Sequence, residues 1–171
     1  MDDGGGIEFE VWYRREHPRL IGSLAALSGR EDVAADAADE AFARALARWP
    51  RVSKMTSPGG WTYRVALNEL RRRLRRVATE RMAIDRMDRP GSVDDHPLDA
   101  DVWRAVRALP DRQRIAVVLR YVADLPEADI AEALQVSRGT VASNLSDARK
   151  ALARFLDEDT TEPAEPTEVS P

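Results

Sequence analysis

Apolar positions recur along this chain at steps of three and four, the spacing of amphipathic helices. Ile7 to about Leu27 reads as helix in two pieces, with Phe9, Val11 and Trp12 before His17-Pro18 and Leu20, Ile21, Leu24 and Leu27 after it. Pro18 is expected to kink this helix or to start a new one. Ser28-Gly29-Arg30 breaks the pattern, and Val33, Ala37, Ala41, Phe42, Leu46 and Trp49 then mark the inward side of a helix from about Asp32 to Arg48. The stretch from Pro50 to Gly60 cannot continue a helix. Trp61 opens the next one, whose stripe is Tyr63, Leu67, Leu70, Leu74 and Val77. From Met87 to about Pro97 the composition is that of a linker, with two prolines, a glycine and no apolar period. Val102, Val106 and Leu109 follow on one short helix, and Ile115, Val118, Leu119 and Val122 on another after Pro110-Asp111. The pattern predicts an all-α fold of two small helical domains, residues 1–86 and 99–156, joined by a flexible linker at 87–98. An acidic, Pro-rich tail at 157–171 is expected to be disordered.

The most informative stretch runs from Leu125 to Leu152. Ile130, Ala131 and Leu134 give one short helix an apolar side, and Val141, Leu145, Ala148, Leu152 and Phe155 stripe a second. Ser137 is placed to cap the second helix by accepting from the Thr140 backbone N–H, with Gln135-Val136 as the turn. Small Ala131 permits close approach of the pair. In a DNA-reading unit of this shape the second helix enters the major groove, and Arg138, Thr140, Ala142, Ser143 and Asn144 are its early outward side chains. The same pattern suits an αα-hairpin that merely completes a core. Charge separates the two weakly, because Ala142, Asn144 and Asp147 stand where a groove binder gains from cations.

The formal net charge of −4 over 171 residues argues against a nucleic-acid partner until the charges are located. Six acids (Asp157, Glu158, Asp159, Glu162, Glu165, Glu168) lie in the tail, which has no base; without them 24 acids face 26 bases, a net of +2. Between Arg64 and Arg81 seven arginines stand against Glu69 and Glu80. Arg64, Asn68, Arg71 and Arg75 keep the helical rhythm beside the buried stripe, next to the loop Lys54-Met-Thr-Ser-Pro-Gly-Gly60 and the Trp61 ring. Such a row is commonly a solvated face, and GC-rich coding also favours arginine. Cations with an aromatic at a loop–helix junction are, equally, a way to hold splayed single-stranded bases. The helix from Asp32 is acidic in its first half (Asp32, Asp36, Asp39, Glu40) and basic at Arg44 and Arg48, an order that suits the helix dipole and also a basic docking partner.

The absence of cysteine removes thiolate chemistry and cysteine-ligated metals. His17 and His96 have no partners at metal-ligand or triad spacing and are expected at the surface or a boundary. With no nucleophile–base pair, metal cluster or phosphate loop visible, an enzyme is not expected, and neither a cofactor nor a metal is. No apolar run approaches the roughly 18 residues of a membrane span, and no basic-then-apolar leader opens the chain, so a cytoplasmic location is expected.

Taken together the two halves resemble the extracytoplasmic-function class of bacterial sigma-70 factors, the small promoter-specificity subunits of RNA polymerase that keep only regions 2 and 4. Region 2 is carried by Asp36-Ala-Ala-Asp-Glu-Ala-Phe42-Ala-Arg44 and by Trp61-Thr-Tyr-Arg64-Val-Ala-Leu-Asn68 with the arginine run after it. Region 4 is carried by Leu109-Pro110-x-x-Gln113-Arg114, Asp129-Ile130-Ala131 and Ser137-x-Gly139-Thr140-Val141 through Ala148-Arg149. The resemblance implies that Asp36, Asp39, Glu40, Phe42 and Arg44 dock on the β′ clamp of core RNA polymerase, with the β flap as a second contact. It implies that Lys54, Trp61, Arg64, Asn68, Arg71, Arg72 and Arg75 melt promoter DNA near −10 and hold a flipped base. Arg138, Thr140, Ser143, Asn144, Arg149 and Lys150 would read the −35 element, and an anti-sigma factor would be a further partner. This chain departs from the family in having Gln135 where a turn glycine is common, and Ala142, Asn144 and Asp147 where Lys, Arg and Arg are common. If position 135 needs positive φ, the departure costs roughly 1 kcal/mol. A sigma-like regulator with degenerate −35 recognition and a stand-alone helix-turn-helix repressor are the alternatives.

Overall fold

The computed structural model describes residues 4–84 and 100–159. Among these the chain forms eight helices and no strand: α1 Gly4–Ser28, α2 Glu31–Ala47, α3 Trp49–Val52, α4 Pro58–Ile84, α5 Ala100–Ala108, α6 Asp111–Tyr121, α7 Glu127–Leu134 and α8 Arg138–Asp159. The 87–98 linker lies outside the described residues.

In the N-terminal half α1, α2 and α4 pack around Leu20, Leu24, Ala34, Ala37, Ala38, Ala41, Tyr63, Ala66, Leu67 and Leu70, all buried. Five of the seven buried residues of α2 are alanines, which leaves little bulk there and lets its neighbours approach closely. Pro18 neither breaks nor restarts α1, which runs through it as one helix. The proline forfeits one backbone hydrogen bond, but Phe9 and Tyr13 before it and Leu20 and Leu24 after it join the same core, which holds the helix together. An aromatic cluster closes the end of this half: Trp12 lies 4.8 Å from Trp49 and 5.1 Å from Phe42, and Phe9 meets Trp49 edge-on at 5.1 Å.

Two boundaries differ from the sequence reading. Pro50 sits in the first turn of the short α3 rather than in open loop, where its missing N–H costs nothing. Helix α4 begins at Pro58 instead of Trp61, because Ser57 caps it: the Gly60 N–H donates to Ser57 Oγ at 2.9 Å and the Trp61 N–H to the Ser57 carbonyl at 3.0 Å. The stripe on α4 is tightly buried through Leu70 and only half-buried at Leu74 and Val77.

In the C-terminal half α5, α6, α7 and α8 enclose Trp103, Val106, Leu109, Val118, Leu119, Ile130, Val141, Leu145 and Ala148. Ser137 caps α8 as expected, its Oγ 3.0 Å from the Thr140 N–H. Gln135 ends α7 in the left-handed region (φ 54°, ψ 45°), so the glycine-favouring turn is present without its glycine. Asp124 takes a similar conformation (φ 55°) before α7, a residue type that tolerates it. Helix α8 runs on to Asp159, so the first three tail acids end a helix, and residues 160–171 lie outside the described part.

The two cores are not separate. Helix α7 lies against α4, α6 meets α1, and the buried apolar residues of both halves form one connected cluster.

Replacing Gln135 with glycine should relieve the left-handed backbone and raise stability by up to about 1 kcal/mol, less the extra chain entropy glycine brings; urea denaturation of both proteins measures it, and a lower midpoint would show that the strain is smaller than that entropy.

Candidate nucleic-acid interface and docking face

The α4 helix carries its apolar stripe inward and a polar row outward. Asn68, Arg71 and Arg75 are exposed, Arg64 is 26% exposed at its side chain, and the Arg71 guanidinium donates to Asn68 Oδ1 at 3.4 Å. These four share a face, as their spacing requires. Arg72 does not join them. It turns to the other side and donates to both carboxylate oxygens of Glu69, at 2.6 and 3.0 Å.

At the head of this row Trp61 is only 8% exposed, packed with Ala45, Trp49 and Val52. Its ring is therefore the wall of a pocket rather than a free stacking platform. The pocket, about 180 Å³, is lined by Arg48, Arg51, Val52, Met55, Trp61 and Arg64. Three guanidinium groups around an apolar floor suit a base with its phosphate. Lys54 stands exposed in the turn beside it. Sequence reading missed Arg48 and Arg51; their signal was two cations bracketing Trp49-Pro50 shortly before Trp61.

Glu69 was also missed. It is 3% exposed inside an arginine-rich helix, and it accepts from Arg72 and from Arg73 at 2.9 Å, with Arg44 3.8 Å away. The Arg72 hydrogen bond, then the charges of Arg72 and Arg73, outweigh burial and hold its carboxyl below the usual carboxylate range. Arg73 also reaches Asp36 at 2.8 Å, which ties α4 to α2.

On α2 each of the predicted docking acids already has an internal partner. Asp36 binds Arg73, Asp39 binds His17 at 2.9 Å, and Glu40 binds Arg44 at 2.7 Å. Phe42 is 3% exposed, with Tyr13 5.0 Å and His17 5.4 Å from its ring, so it forms a floor. Leu46, expected inside, is 55% exposed. Ala45 and Trp49 take the inward positions four apart, which turns Leu46 out by one helical step. It borders an open groove of about 250 Å³ with Phe9, Tyr13, Asp39, Phe42 and Ala43. His17 is a boundary residue, as expected; His96 lies outside the described residues.

On α8, Arg138, Ala142, Ser143, Asp147, Arg149 and Lys150 are exposed, and Thr140 and Asn144 half-exposed. The Thr140 hydroxyl is 2.9 Å from that of Ser137, so part of its hydrogen-bonding capacity serves the cap.

The Sigma-70 region 2 profile matches residues 12–80 and the Sigma-70 region 4 profile residues 99–152. An RNA polymerase sigma-E factor of Streptomyces coelicolor is 30% identical over 91% of this chain and 88% of its own length. The ECF RNA polymerase sigma factor SigM of Mycobacterium tuberculosis is 32% identical over 90% of this chain and 79% of its own. The chain belongs to the extracytoplasmic-function sigma factors. It also matches, at 31% identity, an uncharacterised Rhizobium meliloti protein, of whose length it spans 39%. The sigma factor RpoE of Bartonella quintana, solved with the anti-sigma factor NepR, shares the fold, with a TM-score of 0.70 at 23% identity over 89% of this chain and 98% of that one. Among the described residues of this sigma factor, no helix is long and apolar enough to cross a membrane.

The lowered pKa of Glu69 makes its contribution to stability present above the carboxyl's unfolded value of 4.5 and lost as pH falls through the lower folded value. Glu69→Gln should therefore be less stable than the parent by about 1–2 kcal/mol at neutral pH, with the gap closing in acid; parallel denaturation curves across that range read the difference, and a gap independent of pH would contradict it.

Proposed function

We propose that this sigma factor directs core RNA polymerase to promoters by reading two elements and opening the DNA, working in the cytoplasm without bond-making chemistry of its own. The observation that carries this reading is the joint presence, on one chain, of a cationic row leading into an arginine-ringed apolar pocket and a capped helix-turn-helix with its second helix exposed. The pocket at Trp61 with Arg48, Arg51 and Arg64 takes an unstacked base, and Asn68, Arg71 and Arg75 follow the strand away from it. Unstacking costs a few kcal/mol, so the pocket must return a comparable amount through apolar contact and charge. The exposed face of α8 reads the −35 duplex, and the groove at Leu46 with Asp39 beside it docks on the β′ clamp, with the β flap as second contact. The Bartonella relative was solved with an anti-sigma factor; a protein of that kind is the expected regulator here.

Initiation by core polymerase plus this chain on a promoter library tests the reading. Specific transcripts are expected, and Arg71→Ala with Arg75→Ala should reduce them at least tenfold while the chain still binds core polymerase. No transcript from any promoter, with the chain folded, would refute it.

A second reading draws on Ala142 and Asp147, which face outward where a groove binder needs cations: the chain binds polymerase but reads −35 poorly. In that case Ala142→Lys, Asn144→Arg and Asp147→Arg together should create duplex binding that the native chain lacks, with the salt slope steepened by about one unit for each phosphate newly neutralised. Firm native binding at moderate salt would exclude it.

A further inference from the structure

Among the described residues, the side chains that line the pocket at Trp61 donate hydrogen bonds, and none accepts them strongly. Arg48, Arg51 and Arg64 carry guanidinium groups, which are donors only, as is the Trp61 indole N–H; the Met55 thioether is a weak acceptor and Val52 is apolar. The backbone adds little. The Arg48 carbonyl accepts from the Arg51 and Val52 N–H groups, each at 2.9 Å, the Arg51 carbonyl from Lys54 at 3.3 Å and the Val52 carbonyl from Met55 at 3.0 Å. The three arginines differ in freedom. Arg64 already donates to Glu132 Oε1 at 2.9 Å. Arg48 and Arg51 are exposed and form no ion pair or side-chain hydrogen bond among the described residues. Two uncommitted guanidinium forks, both from the corner between α2 and α3, therefore face whatever enters the pocket.

We infer that the pocket selects a base with two neighbouring acceptors, guanine or cytosine, over adenine or thymine, and that Arg48 and Arg51 make the choice. The inference rests on the promoter-opening reading given above and adds to it the identity of the captured base. Once unpaired, a base can turn any of its edges to the protein. Guanine presents N7 beside O6, and cytosine N3 beside O2, so each offers a guanidinium fork two acceptors at once. In adenine the amino group stands between N1 and N7, and in thymine the N3–H stands between O2 and O4. A fork brought to either of these meets one acceptor and one donor. The N–H of the base then finds no side-chain acceptor in this lining, and a donor left unpaired away from water is costly. Apolar contact alone is indifferent to the base, because each of the four has a face to pack. The choice therefore comes from the donor-only rim and not from the floor.

Holoenzyme assembled from core polymerase and the full chain tests this on a promoter drawn from the transcription library. That promoter is synthesised already open across its −10 region, each non-template position there is made abasic in turn, and holoenzyme affinity is read by anisotropy. The position at which losing the base weakens binding most is the one the pocket holds. With each of the four bases placed there, guanine or cytosine should bind at least about fivefold tighter than adenine and thymine, the lower end of what a bidentate contact discriminates. 7-Deazaguanine, which lacks N7, and 3-deazacytosine, which lacks N3, show which of the two is held by losing that advantage. Arg48→Lys with Arg51→Lys keeps the charge and removes the forks. The double variant should level the ratio between bases, which a loss of folded protein leaves unchanged. Equal binding of all four bases, a preference for adenine or thymine, or an advantage that survives the deaza bases or the double variant would overturn the choice while strand capture stands. If the library yields no promoter, or no abasic position weakens binding, the promoter-opening reading falls and this inference with it.

Discussion

Helix α4 has to satisfy two incompatible environments at once, and the rest of the structure is arranged around that constraint. One side must be apolar enough to be buried by α1 and α2, and the opposite side carries cations that repel one another along the helix. Tyr63, Ala66, Leu67 and Leu70 meet the first demand. The second is relieved by Glu69, a carboxylate buried among Arg72, Arg73 and Arg44, and by Asp36 reaching Arg73 from α2. Removing that acid would leave three arginines crowded at the α2–α4 junction, where the position of α2 is fixed.

The same arrangement divides the arginine run into two populations. Arg72 and Arg73 neutralise internal acids and set the spacing of α2 and α4. Arg71 and Arg75, with Asn68, face outward and make no ion pair to an acid among the described residues. A simple count of charge between residues 64 and 81 merges the two groups, whereas their helical phase separates them. On α2 the acids are likewise committed to His17, Arg73 and Arg44, so a docking partner would exchange existing hydrogen bonds and ion pairs for new ones and gain less from charge than the exposed carboxylates suggest. In the docking proposed above, the groove beside Leu46 would supply the apolar part of that contact.

Much of the fold was legible because its signals are local. The Ser137 cap and the stripe from Val141 to Ala148 are each set by residues close in sequence, and each stands where the spacing places it; the left-handed turn at Gln135 was raised only by the glycine that the family commonly carries there. The Pro18 helix and the start of α4 were less legible, since tertiary packing overrides the proline in one case and Ser57, upstream of the expected start, supplies the cap in the other. Leu46 shows the limit of periodicity: Ala45 satisfies the inward position with a smaller side chain, and hydrophobicity alone favours the larger one. Trp61 was marked as part of the candidate interface from its place at the head of the arginine row, but its burial was not foreseen, because Trp49 and Val52, which pack on it, belong to a helix that the prolines hid. The contact of α7 with Gly60 joins residues far apart in the chain and has no signature in either local pattern.

Of the chain's four tryptophans, Trp12 and Trp49 form the aromatic cluster of the N-terminal half, Trp61 walls the arginine pocket, and Trp103 sits in the core of the other half. The molecule thereby contains its own optical reporter. Three of the four rings lie in the N-terminal half, and a nucleobase seated in the pocket as proposed would lie against one of them, so that strand capture would register as quenching without any attached dye.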